Sequence, residues 1–281
     1  MSSSPSGSRD DDATSDAPKR GTPTPLLVIV PGSTPLRQYG RDLWHHRDLI
    51  RVLGRRDLTL RYRQTLLGAV WVVLQPILAA GLLSFVFGRI ADLPTEGVPT
   101  FLFTYSGMLA WSAFSATLNR AATTLIGSAS LVAKIFFPRL VLPLASVASV
   151  AVDFAVTFMI LLVMMVARGV PPGPEVLLLP VWLLFLLAMA QGTGAFIGSF
   201  AVRYRDFANI TPFLLQLGLY ASPVAYSVSA VPERYQSLYY LNPVVSLLEA
   251  FRWSLFGTTF PTLVHFSYSV IVSLLLLVIG F

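Results

Sequence analysis

Six long apolar runs constrain this chain more than any other feature. They cover about residues 66–90, 100–119, 139–167, 176–201, 209–230 and 263–281. Each approaches or exceeds the ~20 residues with which a helix crosses the hydrocarbon core of a bilayer. Six such runs cannot bury one another inside a soluble domain of 281 residues. Charge content agrees: charged residues make up 12% of the chain and hydrophobic residues 54%, where soluble domains carry about 25% charged residues. In lipid every backbone N–H and C=O must find a partner within the protein, and a helix satisfies its own. The expectation is an all-α integral membrane protein with six transmembrane helices.

The basic residues gather at the ends of these runs. With the N-terminus inside, the inner segments hold twelve (Arg41, Arg47, Arg51, Arg55, Arg56, Arg61, Arg63, Arg120, Lys134, Arg139, Arg203 and Arg205), and the outer segments hold four, Arg89, Arg168, Arg234 and Arg252. This bias places the N-terminus in the cytoplasm of a multi-pass protein of the cytoplasmic (inner or plasma) membrane. The net charge of +6 is therefore read as topology, and no nucleic-acid partner is expected.

Residues 1–40 are expected to form a disordered cytoplasmic tail. The first 24, MSSSPSGSRDDDATSDAPKRGTPT, are rich in Ser, Asp, Pro and Gly. They lack the basic start of a signal peptide, and the LLVIV that follows is too short for its apolar core. Residues 41–65 then form an amphipathic interfacial helix. In RDLWHHRDLIRVLGRRDLTLRYR, Leu43, Leu49, Ile50, Leu53 and Leu60 share one side and Arg41, Asp48, Arg51, Arg55, Arg56 and Arg63 the other. Val52 and Arg61 break the pattern, and Gly54 is a candidate bend. A basic amphipathic helix just ahead of a span lies in the membrane interface. Residues 66–281 make up the transmembrane domain. Pro212 and Pro223 should kink or interrupt its fifth run. The stretch LNPVVSLLEAFRWSLFG (241–257) is amphipathic and too short and polar to span, so it fits a re-entrant or interfacial element.

Chemistry is scarce. There is no cysteine, no G-x-x-x-x-G-K-[ST], and only two lysines, Lys19 and Lys134, so the chain has no P-loop with which to bind ATP itself. His45, His46 and His265 are the only histidines, and no H-E-x-x-H or G-x-S-x-G occurs. Adjacent His45 and His46 point about 100° apart on a helix, which does not suit shared metal ligation, and no metal is expected. Asp153 alone lies deep in a run, where an unpaired charge costs about 2.5–3.5 kcal/mol. It should face the bundle interior or a wet cavity, or bond to a neighbour. No catalytic residue stands out, and the energy source is expected outside this chain.

Four segments in register carry a resemblance: RRDLTLRYRQTLLGAVWVVLQPIL, KIFFPRLVLPLASV, RYRDFANITPFLLQLGLYASPVAY and LNPVVSLLEAFRW. Together they resemble the membrane subunit of ABC-2 type exporters of lipid-linked polysaccharides such as O-antigen, capsule, teichoic acid and galactan. The likeness runs from about residue 40 to the end. It implies a homodimer with two copies of a separate ABC ATPase, which would bind ATP and Mg, and a lipid-linked polysaccharide substrate. It also implies short re-entrant helices before the last span, matching roughly 231–257. The chain departs from the family in a longer polar N-terminal tail and in lacking a basic tail after the sixth run.

The resemblance further implies a cytoplasmic coupling helix within NRAATTLIGSASLVAKIFFPR (119–139), with Ser128, Leu131, Lys134, Ile135, Phe136 and Arg139 meeting the ATPase. Lys134 and Arg139 bracket IFFP at headgroup depth, and Pro138 and Pro143 limit helical geometry there. Arg55, Arg56, Arg61 and Arg63 can meet a lipid-borne pyrophosphate or membrane lipid headgroups. Sugar rings stack on aromatic faces, so Phe103, Tyr105, Trp111, Phe114, Tyr220, Tyr226 and Trp253 are the candidates for a glycan channel. Rival readings are an ABC-2 drug or lipid exporter permease, a membrane-embedded glycosyltransferase or acyltransferase that would use Asp153, and a structural scaffold.

Overall fold

The structure, a computed structural model, describes residues 68–127, 141–204 and 206–280, together with Val52, Gly54 and Thr59. Among the described residues there are eight α-helices and no strand. They are α1 (Gly68–Ser84), α2 (Thr100–Gly127), α3 (Val141–Ala167), α4 (Leu179–Arg203), α5 (Asp206–Ala221), α6 (Glu233–Tyr239), α7 (Pro243–Phe256) and α8 (Leu263–Gly280). A π-helical turn, Phe85–Ile90, prolongs α1, and a 3-10 turn, Pro174–Leu178, leads into α4.

Four stretches are long and apolar enough to cross a membrane: Val70–Ile90, Leu144–Ala167, Pro174–Arg203 and Leu263–Gly280. The predicted second and fifth runs differ from these for two separate reasons. Helix α2 has 28 residues and a length of about 42 Å, but it carries many polar side chains. It tolerates them because it is the centre of the bundle, packed by α1, α3, α4, α5 and α7, and nearly every residue from Leu102 to Leu118 is buried or half-buried. A helix sheathed in protein need not be apolar to lipid. Helix α5 has 16 residues with Pro212 inside it, about 24 Å of helix. It stops at Ala221, nine residues short of the predicted end, and Pro223 follows in irregular backbone.

The most extensive packing is between α2 and α4. A Cβ built on Gly194 would lie 2.5 Å from the Leu118 carbonyl oxygen and 2.6 Å from the Ala121 Cβ. One turn on, a Cβ on Gly198 would lie 3.1 Å from the Ala122 carbonyl, and Ala121 and Ala122 are fully buried. This is the small-xxx-small arrangement by which membrane helices bring their backbones together. The outward faces of α1, α3, α5 and α8 expose Leu82, Met159, Val163, Phe213 and Ile271, a surface suited to lipid rather than water.

Two expectations for the connections change. The second run does not end near residue 119; α2 continues unbroken to Gly127, so the first nine residues of the segment expected to hold the coupling helix belong to α2. Arg120 on this extension donates to Ser149 Oγ of α3. Pro143 falls in the first turn of α3, where a missing N–H removes no intrahelical bond. Finally, α7 is not an amphipathic surface helix. Ten of its residues, from Val244 to Leu255, are buried on several sides, which an interfacial position would not give.

Of the interfacial helix, only Val52, Gly54 and Thr59 are described, and all three are helical. Val52 is exposed, as its place off the apolar side requires. Gly54 is buried, and a Cβ there would lie 3.3 Å from the Ala145 carbonyl, so close approach to α3 explains this glycine better than a bend. The tail, the four arginines Arg55, Arg56, Arg61 and Arg63, and the coupling residues Ser128, Leu131, Lys134, Ile135, Phe136 and Arg139 lie outside the described residues.

Candidate functional site

A groove of about 500 Å³ opens between α1, α2, α3 and α5. Its floor is apolar, with Met108, Leu109, Val150 and Phe154, but a polar band runs across it: Gln75, Ser112, Ser115, Asn119, Asp153 and Gln216. These side chains come from four helices, and each arrives by helical spacing. Ser112, Ser115 and Asn119 stand at intervals of three and four on α2 and so share one face. Asp153 is half-buried at the groove wall, which agrees with its expected orientation toward the interior. Asn119 Oδ1 is buried with no hydrogen-bond partner among the described residues, an acceptor that a ligand hydroxyl or water would satisfy.

The seven predicted channel aromatics separate into different settings. Trp111 lines the groove, its ring held against Phe114 at 5.3 Å and against Gly218 of α5, where a Cβ would lie 2.8 Å from the indole. Phe103, Tyr105 and Phe114 belong to the packed core. The Tyr105 hydroxyl donates to the Thr157 carbonyl at 3.2 Å. Tyr220 is exposed, and its carbonyl accepts from the Tyr226 hydroxyl, which also bonds the Tyr239 hydroxyl at 2.8 Å. Trp253 joins an aromatic cluster with Phe260, Trp182 and Phe266. Phe154, absent from the predicted set, lines the groove beside Trp111.

At the end of the bundle that carries the 91–99 connection, several loops are tied together by part-buried and exposed polar bonds. Glu96 accepts from Ser227 Oγ at 2.5 Å and from the Thr259 N–H at 2.9 Å. The Ser227 N–H donates to the Pro94 carbonyl. Asn242 caps α7 through the Val244 N–H and donates to Ser222 Oγ at 3.0 Å. On α7, Arg252 is 2% exposed. Its Nη2 donates to the Val224 carbonyl at 2.5 Å, and its guanidinium lies 3.9 Å from the centre of the Phe103 ring. Arg252 is thus an interior cation and not the outer-loop charge that its place in the sequence suggested. Burial pushes the Glu249 carboxyl up to about 7, against the opposing pull of the Tyr240 hydroxyl bond and Arg252. The Tyr239 and Tyr240 hydroxyls are pushed up as well, mainly by burial.

The sequence placed Glu249 and Arg252 on a re-entrant or interfacial element without pairing them. The available signal was their spacing: an acid and a base three apart on an otherwise apolar helix that begins with an Asn-Pro cap.

A polytopic helical membrane protein with a polar-banded groove inside its bundle has the body of a transporter. The chain belongs to the ABC-2 type transporter family, whose model matches residues 48–256. It is similar to an O-antigen export system permease protein of Myxococcus xanthus, with 31% identity over 214 residues, 75% of this chain and 82% of that protein. One from Klebsiella pneumoniae is 27% identical over 210 residues, 73% of this chain and 79% of its own length. A capsule polysaccharide export inner-membrane protein of Neisseria meningitidis is 27% identical over 246 residues, covering 83% and 89%.

Proposed function

We propose that this chain is the permease subunit of an ATP-driven exporter that carries a lipid-linked polysaccharide across the cytoplasmic membrane. The observation that carries the reading is the groove: one indole and a band of amide, hydroxyl and carboxylate groups on an apolar floor. Such a lining suits a long polyhydroxylated chain. The amides and serines exchange hydrogen bonds with successive hydroxyls at nearly equal energy, and the Trp111 face stacks on pyranose C–H groups without fixing a register. An oily drug or lipid would gain nothing from Gln75, Asn119 and Gln216, which favours the glycan over the drug-exporter alternative. The O-antigen and capsule export proteins to which the chain is similar point the same way.

In this reading the six spans are α1, α2, α3, α4, α5 and α8, with α6 and α7 re-entrant on the outer side and the N-terminus cytoplasmic. Two copies face each other across their grooves to complete the passage. Two copies of a separate ATPase engage the cytoplasmic connection at 128–139 through Lys134, Ile135 and Phe136, and the α2 extension to Gly127 acts as the stalk that conveys the movement. Arg55, Arg56, Arg61 and Arg63 collect the pyrophosphate or the headgroups at the inner surface.

The test is co-purification from native membranes together with surface glycan measured in cells. A stoichiometric P-loop ATPase, lost when Lys134, Ile135 and Phe136 are changed together in a normally inserted protein, is the expected result. Recovery of the chain alone, with surface glycan unchanged in a strain lacking it, would overturn the reading.

A further inference from the structure

The Arg252 site has the features of a two-position latch. The guanidinium sits in a notch on α2 that exists only because residue 107 is glycine: a Cβ there would lie 2.3 Å from Arg252 Nη2 and 2.2 Å from the Val224 carbonyl oxygen. Val224 lies just beyond the break that ends α5, so one side chain holds α7, α2 and the α5 break together. The notch stands at the head of the groove, since Met108 and Leu109, the next residues on α2, line it.

The packing is incomplete in a particular way. Arg252 Nε and Glu249 Oε2 are both buried and have no hydrogen-bond partner among the described residues. They stand three residues apart on α7, the spacing at which side chains on one helix meet. The Glu249 carboxylate instead takes the Tyr240 hydroxyl on Oε1 at 3.1 Å. A buried cation with a spare donor beside a buried carboxyl with a spare acceptor has a second place to go.

Resting on the exporter reading above, we propose that Arg252 is a positioning residue that latches the outer end of the groove shut. In the latched position it holds the α5 break onto α2 through the Val224 carbonyl and the Phe103 ring. In the released position it pairs with Glu249, and the α5 break and α7 separate from α2 to open the groove head. The exchange needs no new partner, because both positions lie within reach of one side chain.

The chain has no cysteine, so a single S112C reports the groove cleanly. Intact cells are treated with a membrane-impermeant thiol reagent, and labelling of S112C is compared across three added substitutions. Gly107→Ala fills the notch and Arg252→Lys removes the planar fork, so each should raise labelling by about fivefold or more as the population moves to the open state. Glu249→Gln removes the released position and should lower it below the parent. A merely structural Arg252 would move all three variants the same way. Equal labelling in all three, or Glu249→Gln moving with the other two, in protein inserted at parental amounts, overturns the latch. The readout needs no glycan, so it can fail while the exporter reading stands, and glycan export can fail while the latch stands.

Discussion

Helix α2 presents two faces built on opposite terms. Toward α4 it is dry and close: Leu118 and Ala121 leave no room for an added carbon on Gly194, and Ala121 and Ala122 leave little on Gly198. Toward α1, α3 and α5 it is loose and polar, with Ser112, Ser115 and Asn119 around open space. The difference shows where this protein is rigid and where it can accommodate a cargo. A seam made by backbones has one solution, because interiors packed to crystal-like density cannot deform. A face made of exchangeable hydrogen-bonding groups has many.

The strongest attack on the comparison is at the seam. Gly194→Leu drives a side chain into the Leu118 backbone, and ~10-fold less monodisperse protein should be recovered by detergent size-exclusion chromatography. If Gly194→Leu were tolerated, the seam would not be rigid. On the other face Asn119→Ala should behave in the opposite way. Its Oδ1 has no partner among the described residues, so thermal unfolding should stay within about 0.5 kcal/mol of the parent, while glycan export drops. A stability loss with full export would reverse the roles assigned to the two faces.

Smaller effects sharpen the boundary between them. Tyr105→Phe removes the buried bond to the Thr157 carbonyl and should cost about 1 kcal/mol, seen as a lower unfolding temperature with export unchanged. Last comes pH. Because the folded Glu249 carboxyl sits at about 7 against an ordinary 4.5, the folded state binds that proton more tightly than the unfolded state. Its stabilising contribution is full below pH 4.5 and is lost as pH rises toward 7. Glu249→Gln, which cannot titrate, should flatten this part of the stability–pH curve in detergent thermal melts.

The comparison also shows why some features were legible in the sequence and others were not. Apolar run length located α1, α3, α4 and α8 to within a few residues, since lipid imposes a requirement that each segment meets alone. Pro223 marked the interruption of the fifth run, but its outer bound was set nine residues too far because Val224 and Ala225 are apolar enough to continue a span, while the break at Ser222 and Pro223 is held by Asn242 and Arg252 from elsewhere in the chain. Trp111 reached the groove and Phe103 the core although both are aromatics of one helix. They differ only in which neighbour faces them, and that is a property of the bundle.

What the sequence determined by itself was the all-helical membrane character and the kinship to ABC-2 type transporters, because both rest on local requirements: segment length, loop charge and motif order. Only the tertiary structure decided that α2 is the centre, that Gly194 and Gly107 are points of backbone contact, and that Arg252 is an interior cation. Those facts depend on distances between residues far apart in the chain, and helical periodicity carries no information about which face a distant helix will cover.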